Sequence, residues 1–535
     1  MWNIWLIHKC LLHLQKIKDM IRFKSNNQNQ LALFPLNLED LIPDNHLVRI
    51  VNSFVNEISM ETLIKPFSKE GQPPFEPRTM LKVIIYSYSI KLYSSRKIER
   101  ALKQDVTYMW LSGMQTPDHN TINRFRSNYF KNILEEVFTQ MLDFLHKNGY
   151  IKFENYFTDG TKIEADANKY SHVWAKNTSR YKELVREKVK TLLKEIEEIN
   201  KTEDNQYISE EKLKSVKEEK ISSEDLKKAV SELNNELATK TGKKKRTIKS
   251  KINQLEKSAE KIEKYEDQEK NLNGRNSYSK TDKDATFMRL KDETLKPCYN
   301  IQLSSENQFV TNFSVSQNAS DTAAFPEHFE KIAARGEKYI PKNNVADSAY
   351  GSEENYTLIE KYGVSNYLKY NSFYQDTKGG NKNPFHKDHF KYIQEKDCYV
   401  CPQSTELLFV KEDKRKTGSG FETFVKIYQA TNCQNCEFKE KCSKGANRTI
   451  QRNERLEKFK THAYKNLTTE KGKKLRIQRN IDVEPIFGDI KENSGYRKFR
   501  LRTKEKVEAE VAYLSISHNI RKVFNINLKA ANKTA

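Results

Sequence analysis

The sequence has no stretch of about 18 or more consecutive apolar residues, which excludes a conventional membrane-spanning helix. Cysteine is scarce. The seven present are too few and too unevenly placed for a disulfide framework, and a cytoplasmic location fits. Acidic residues are outnumbered: 72 Asp and Glu stand against 94 Lys and Arg, for a formal net charge of +22. That imbalance favours a polyanionic partner, usually nucleic acid, although a merely soluble basic protein shares it. Apolar residues make up only 36% of 535 positions, enough for globular cores but lean for so long a chain. At about 100–200 residues per domain, roughly two to four units are expected. Residues 2–14 (WNIWLIHKCLLHL) faintly resemble a signal peptide. They lack a basic start and a small-residue cleavage site, and His8 and Lys9 interrupt the apolar run. The expectation is a natural start at Met20, with 1–19 an upstream extension.

What is present changes character along the chain. Residues 20–148 read as a helical domain, with helices starting near Asn37 and Asn45, an apolar helix from Met80 to Tyr93, and another from Ser94. The segment Thr116-Pro-Asp-His-Asn-Thr-Ile-Asn-Arg-Phe-Arg126 offers Asp118 or Asn120 as an N-cap. Arg96, Lys97, Arg124 and Arg126 at helix starts suit a helix-turn-helix-like DNA binder; a plain bundle with solvated arginines reads equally well. Residues 178–275 are dense in Lys and Glu. Apolar positions recur by three and four at Val185–Ile199, Leu226–Leu237 and Ile248–Ile262, a heptad spacing that predicts a helical hairpin arm with coiled-coil packing. Gly242-Lys-Lys-Lys-Arg246 reads as its basic loop. From 297 the pattern becomes β. Tyr299–Leu303 and Gln308–Val315 alternate around a predicted turn at Ser304–Asn307. A helix from Asp321 to about Arg335, a strand ending at Asp347, a helix from Glu353 and a strand at 366–370 follow, and helices return after 480. The fold class is therefore mixed α+β or α/β, a mixed sheet flanked by helices with two long insertions. Its boundaries are 149–177 for the first part of the sheet domain, 276–370 for its continuation, 371–475 for a Cys-rich insert and 476–535 for the closing helices.

Three segments carry the chemistry. Asn155-Tyr-Phe-Thr-Asp159-Gly and Asn344-Val-Ala-Asp347-Ser-Ala-Tyr-Gly351 each set an Asp in or at the end of a strand, where Asp is disfavoured and needs a reason. Mg²⁺ is such a reason, because it prefers hard oxygen ligands, and paired ions serve phosphodiester chemistry. The third is Ile481-Asp-Val-Glu484-Pro-Ile-Phe-Gly-Asp-Ile-Lys491. Pro485 suits a first helical turn, and seven-residue spacing predicts Glu484 and Lys491 on one helix face. Alone, each segment is an ordinary turn or solvated face; their order is what points to phosphoryl transfer. Asp166, Asp282, Asp284 and Asp321 read as turns or caps. Cys398-x2-Cys401, Cys433-x2-Cys436 and Cys442 suggest tetrahedral Zn²⁺, with the choice of four open and reduced, unligated thiols as the alternative. Tyr496-Arg-Lys-Phe-Arg-Leu-Arg502 interleaves basic and aromatic residues, as a DNA-backbone track with base stacking does. A solvated basic loop is the plainer reading.

The segments Phe157-Thr-Asp159-Gly-Thr-Lys, Val345-Ala-Asp347-Ser-Ala-Tyr-Gly and Arg479-Asn-Ile-Asp-Val-Glu484-Pro-Ile-Phe-Gly-Asp-Ile-Lys491 resemble the catalytic signatures of the DDE transposases of bacterial insertion sequences. Ser95-Arg-Lys-Ile-Glu-Arg and Pro117–Arg126 resemble the helical domain of that group, so the likeness runs from about Met20 to Phe524. The resemblance implies a ribonuclease-H-like catalytic domain in which Asp159, Asp347 and Glu484 hold two Mg²⁺, or Mn²⁺. Asp482 is the rival ligand, and the Lys491 spacing favours Glu484. Arg479 and Lys491 match basic positions that contact DNA phosphates, whereas Arg497, Lys498, Arg500 and Arg502 are DNA-binding candidates by the pattern of their own segment; the family's tyrosine on that helix has no clear counterpart at the expected spacing. The Cys-rich insert of related transposases favours Cys401, Cys433, Cys436 and Cys442 for Zn²⁺, with Cys398 as alternative. The implied partners are double-stranded DNA, as terminal inverted repeats and target, and a second copy of the chain, with no membrane; the implied location is the bacterial cytoplasm at the nucleoid. A nuclease of the same fold that does not transpose, and a non-catalytic DNA-binding or coiled-coil scaffold derived from a transposase, are the competing readings.

Overall fold

The computed structural model of the protein describes residues 37–67, 73–201, 222–242 and 244–534. The expected upstream extension at 1–19, Met20 and Lys243 of the basic loop lie outside these. The described residues fall into two units, 37–44 and those from Asn45 onward. In the first, Leu38–Leu41 form one 3-10 turn whose N-cap Asn37 accepts from the Glu39 N–H. The longer helix expected there is absent among the described residues.

The second unit begins with helices α1 (Leu47–Glu57), α2 (Pro77–Ser89), α3 (Ser95–Gln104), α4 (Val106–Ser112), α5 (His119–Arg124) and α6 (Leu134–Lys147). Pro77 opens α2, and ten of its residues are buried. Asp118 caps α5, accepting from the Thr121 N–H at 2.8 Å. The central sheet follows: β1 (Asn155–Glu164), β4 (Thr286–Arg289), β5 (Leu295–Glu306), β6 (Phe309–Ser316), β7 (Asn343–Ala346) and β8 (Ser365–Leu368), in the order β4-β5-β1-β7-β8 with β6 also on β5. Pairs β1–β5 and β5–β6 are antiparallel, whereas β1–β7 and β7–β8 are parallel. The β5–β6 hairpin is tighter than expected. Ser304–Glu306 stay in the strand, and only Asn307 and Gln308 turn, both at positive φ, as a type I′ turn requires. Helix α10 (Asp321–Ala334) packs on β5 and β6, α11 (Glu353–Lys361) on β8, and the last helix, α16 (Lys504–Thr534), on both β6 and α2. Thus α16 joins the sheet to the N-terminal helices.

Two insertions interrupt this plan. Between short strands β2 (His172–Trp174) and β3 (Ser277–Ser279), which pair with each other, stand α7 (Ala175–Lys201), α8 (Ser223–Ala238) and α9 (Lys245–Leu272). The three apolar runs of the sequence lie one on each helix and share one core, including Leu192, Ile196, Leu226, Leu233, Ile252 and Leu255. The described arm is thus three helices rather than a simple hairpin, because the second run packs as a helix of its own. Lys245 and Arg246 belong to the first turn of α9 rather than to a loop. The second insertion, after α12 (Phe373–Thr377), is a five-stranded antiparallel sheet, β9 (Lys391–Ile393), β10 (Cys398–Val400), β11 (Glu406–Lys416), β12 (Glu422–Ala430) and β13 (Thr449–Arg452). Helices α13 (Glu454–Thr468), α14 (Glu470–Asp482) and α15 (Glu484–Gly488) return to the central sheet. Among the described residues no helix is long and apolar enough to cross a membrane.

Candidate active site

Asp159 lies inside β1, one residue beyond the last β1–β7 pair, Thr158 with Ala346. The parallel neighbour ends there, so the Asp159 side chain faces the crevice at the carboxyl ends of the parallel strands, where open α/β sheets place their ligands. Asp347 is the first residue after β7. It caps a 3-10 turn, its Oδ1 accepting the Ala349 N–H at 2.9 Å. Asp159 Oδ1 likewise accepts the Gly160 N–H at 2.9 Å. Glu484 opens α15, with Pro485 in the first turn as expected.

One guanidinium holds the three together. Arg479, on the last turn of α14, is buried, and its Nη2 stands 3.1 Å from Asp159 Oδ1 and 3.8 Å from Asp347 Oδ2. Its Nη1 is 3.9 Å from Glu484 Oε1. Burial pushes the Asp159 carboxyl up to about 6 against the pull of Arg479 and the Gly160 N–H; Asp347 and Asp321 add to the rise. One cation among several carboxylates leaves net negative charge in a partly desolvated crevice, a setting that attracts cations. Among the described residues no three His, Cys, Asp or Glu side chains stand arranged to hold a metal ion as they are; at the crevice the Arg479 guanidinium fills the space between them.

Asp482, the rival carboxylate, is fully buried and turned elsewhere. Its Oδ1 accepts from Ser305 Oγ at 2.7 Å and from the Gln308 N–H at 2.8 Å, which anchors the end of α14 to the β5–β6 turn. Asp321 is not a helix cap. Ser320 occupies that position, and Asp321 Oδ1 accepts from Asn300 Nδ2 and Gln302 Nε2, both at 2.8 Å. It presses on Gly160 so closely that a Cβ there would meet Asp321 Oδ1 at 2.5 Å. Tyr350 Oη donates to Gln302 Oε1 at 2.5 Å, tying the Asp347 turn to the same cluster. Sequence reasoning passed over Asp321 and Gln302; the glycine after Asp159 was the available sign of a close approach.

The basic candidates separate into three groups. Arg96, Lys97 and Arg124 are exposed on α3 and α5. Arg497, Lys498, Arg500 and Arg502 are exposed along a segment that extends the end of β1, where the Phe499 N–H donates to Glu164 O at 2.8 Å. Lys498 and Arg502 pair with Asp166, Arg497 pairs with Glu492, and Arg500 lies over the Tyr93 ring. Arg500, Arg502 and Lys506 line a cleft of about 570 Å³ with Ser94 and Asn123. The third group departs from expectation. Arg126 is buried and donates to Tyr93 O, Tyr88 Oη and Asn123 Oδ1. Lys491 donates to Thr161 Oγ1 and, at 2.8 Å, to Lys162 O, both on β1. The chain from Asp489 to Asn493 is π-helical, so seven residues no longer make two α turns and the shared face with Glu484 is lost. Tyr496 and Phe499 are core residues packed on Tyr93 and Tyr299, not stacking platforms.

In the insert, Cys401, Cys433, Cys436 and Cys442 line one small cavity of about 30 Å³. Cys398 does not line it and is buried in β10. The Thr405 N–H donates to Cys401 Sγ at 3.3 Å and the Arg448 N–H to Cys433 Sγ at 3.5 Å.

Comparison with known families adds two matches. Residues 400–524 match the model of the Transposase DDE domain, and residues 36–128 that of the Transposase domain (DUF772). No curated protein and no solved structure matches the chain. Both matched segments are transposase domains, and together they support a DDE-type transposase of insertion sequences. The first match contains Glu484 and the cavity-lining cysteines; Asp159 and Asp347 precede it.

Proposed function

We propose that this transposase binds the terminal inverted repeats of its element, cuts the element ends and joins them to target DNA by metal-dependent phosphoryl transfer. The observation that carries the reading is the meeting of Asp159, Asp347 and Glu484, from β1, the end of β7 and the start of α15, at one guanidinium. The six-stranded sheet, with antiparallel β4, β5 and β6 on one side of β1 and parallel β7 and β8 on the other, suits a ribonuclease-H-like catalytic domain.

The donor set fits Mg²⁺ or Mn²⁺. It consists of carboxylate oxygens only, in a crevice where burial alone makes a lone carboxylate reluctant to ionise. Asp159, Asp347 and Glu484 would hold the ions. Bound there, a pair of ions supplies activation of the attacking oxygen and stabilisation of the leaving oxygen. The chain's own part is positioning and charge. The Gly160 and Ala349 N–H groups fix the two Asp side chains on the sheet. Glu484 enters from a separate helix, so its approach depends on how α14 is anchored through Asp482. Arg479, once the carboxylates are otherwise neutralised, has its charge available for a DNA phosphate. Both the hydrolytic cut and the joining step are in-line displacements at phosphorus, so no covalent protein nucleophile is needed.

Arg96, Lys97 and Arg124 would face the terminal repeats, and Arg497, Lys498, Arg500 and Arg502 the phosphate backbone nearer the crevice. The cysteines around the insert cavity suit a structural Zn²⁺ with no open position. Two ends must be joined, so the working form is a homodimer in the cytoplasm, at the nucleoid. The test is an assay with duplex DNA carrying the element's own ends, with and without Mg²⁺. Cleavage followed by strand joining is expected; cleavage without any joining would reduce the protein to a nuclease.

A further inference from the structure

The crevice extends past Asp347 to the next strand. Thr158 pairs with Ala346 and Ala346 with Leu368. One residue further, that register sets Asp159, Asp347 and Lys369 side by side at the carboxyl ends of β1, β7 and β8. The Lys369 N–H donates to Ala346 O at 3.2 Å. The turn after Asp347 is pressed onto this point, since a Cβ at Gly351 would lie 2.3 Å from Lys369 O.

Lys369 is only 7% exposed, and among the described residues no carboxylate pairs with its ammonium. A buried charge without an opposite charge is unfavourable unless something else compensates it. Its ammonium donates instead to Tyr374 Oη at 3.1 Å, with the nitrogen 5.3 Å from the ring centroid. Tyr374, on α12, is 56% exposed. Because its oxygen accepts from Lys369, its own O–H is the donor left to point outward. The lysine hydrogen bond, with Arg476 and Arg479 nearby, holds the phenol below its ordinary value, which makes it a stronger hydrogen-bond donor. The Arg476 Nε is buried without a hydrogen-bond partner among the described residues. A buried ammonium, an exposed phenol and two guanidinium groups thus border the carboxylates, on the side away from β5.

We propose that Lys369 and Tyr374 form a phosphate-binding pair of the active site, which takes a non-bridging oxygen of a DNA phosphate next to the scissile bond. Lys369 supplies charge, and Tyr374 supplies the directed O–H. This rests on the catalytic reading of Asp159 and Asp347.

The test uses the full chain, Mg²⁺ and duplexes carrying the element's own ends, either unmodified or with one neutral methylphosphonate at each position near the scissile bond. On unmodified DNA, Tyr374→Phe and Lys369→Met each slow cleavage about tenfold or more, the loss expected for one hydrogen bond to a charged group. A methylphosphonate at one position slows the wild type similarly and slows neither variant further. Because Tyr374 is exposed and Phe removes a single oxygen, an unchanged thermal midpoint for Tyr374→Phe separates this loss from misfolding. Wild-type rates in Tyr374→Phe, or equal further losses for variant and wild type at every methylphosphonate position, overturn the pair. Asp347→Asn is run alongside: normal cleavage by that variant would sink the catalytic reading itself, whereas with its cleavage abolished the methylphosphonate pattern alone decides for or against the pair.

Discussion

Gly351→Ala should cut Mg²⁺-dependent cleavage about 10²-fold without unfolding the chain. Gly351 closes the turn that begins at Asp347, and its φ of −77° is open to alanine. The space is not. A Cβ would lie 2.3 Å from Lys369 O, 2.7 Å from Tyr370 Cα and 2.9 Å from Tyr356 Oη, against ordinary contacts of 3.4–4 Å. The two nearest atoms are backbone and cannot rotate aside, so the turn and β8 must part by about 1 Å. A misplacement of about 1 Å in a catalytic group costs about 10²-fold in rate, and overpacking of this kind costs about 1–3 kcal/mol in stability. The assay is Mg²⁺-dependent cleavage of end-bearing duplex, with DNA affinity and thermal midpoint measured on the same preparations. Cleavage should fall about 10²-fold while affinity changes little. Gly418→Ala, where a Cβ meets nothing within 4 Å, should behave as wild type. Cleavage by Gly351→Ala within about twofold of wild type, far short of the loss a displaced group entails, would refute the claim that the close approach of this turn to β8 sets the position of Asp347.

Asp482→Asn should be mild, because an amide oxygen can still accept from Ser305 and Gln308; Asp482→Ala leaves both donors buried and unpaired and should cost about 1–3 kcal/mol in denaturation midpoints. Equal damage from the two would show that its charge, not its anchoring, matters. Metal analysis of protein purified without chelator should find one Zn²⁺ per chain, lost in Cys436→Ser and kept in Cys398→Ser, since only the former lines the insert cavity; loss in both would reopen the ligand choice. His328 is buried against Ser304 and Ser314, and burial holds its imidazole well below the ordinary value. Below about pH 6.5 the unfolded chain therefore binds a proton that the folded chain does not, and stability should fall with pH by up to about 1.4 kcal/mol per unit. His328→Gln should flatten that slope, and an unchanged slope would remove His328 as its source.

The local rules of the sequence reached far into this fold. Asp118 as one of two candidate caps, Pro485 in a first helical turn, the two strands around 299–315 and the heptad runs of the arm all depend on near neighbours, and the structure shows each; the apolar helix expected from Met80 to Tyr93 runs instead from Pro77 to Ser89. The expectation for Asp159, Asp347 and Glu484 rests on their order along strand, strand and helix, and the structure brings the three carboxylates within 4 Å of the Arg479 guanidinium. Features set by distant contacts were not legible. Arg126 and Tyr496 look like surface residues in a local window, yet Tyr88 packs on the first and Tyr93 on the second, both distant from them in sequence. The π-turn at 489–493 shifts Lys491 from its expected face, and nothing in the residue spacing announces it. Asp321 looks like any acid at a helix start until β1 and β5 bring Gly160 and Gln302 against it. The insert sheet was hidden because every residue from Lys411 to Lys416 is charged, which erases the apolar alternation from the second half of β11.

On the proposed function, the carboxylates of Asp159, Asp347 and Glu484 together drive metal-dependent DNA cleavage. The most direct measurement is cleavage and DNA binding by Asp159→Asn, Asp347→Asn and Glu484→Gln, each assayed on end-bearing duplex in Mg²⁺ and in Mn²⁺. Each substitution removes metal-binding charge with little change of shape, so each should abolish cleavage while affinity for the duplex survives. Near-normal Mg²⁺-dependent cleavage by any one of the three would contradict the account and remove that residue from the site.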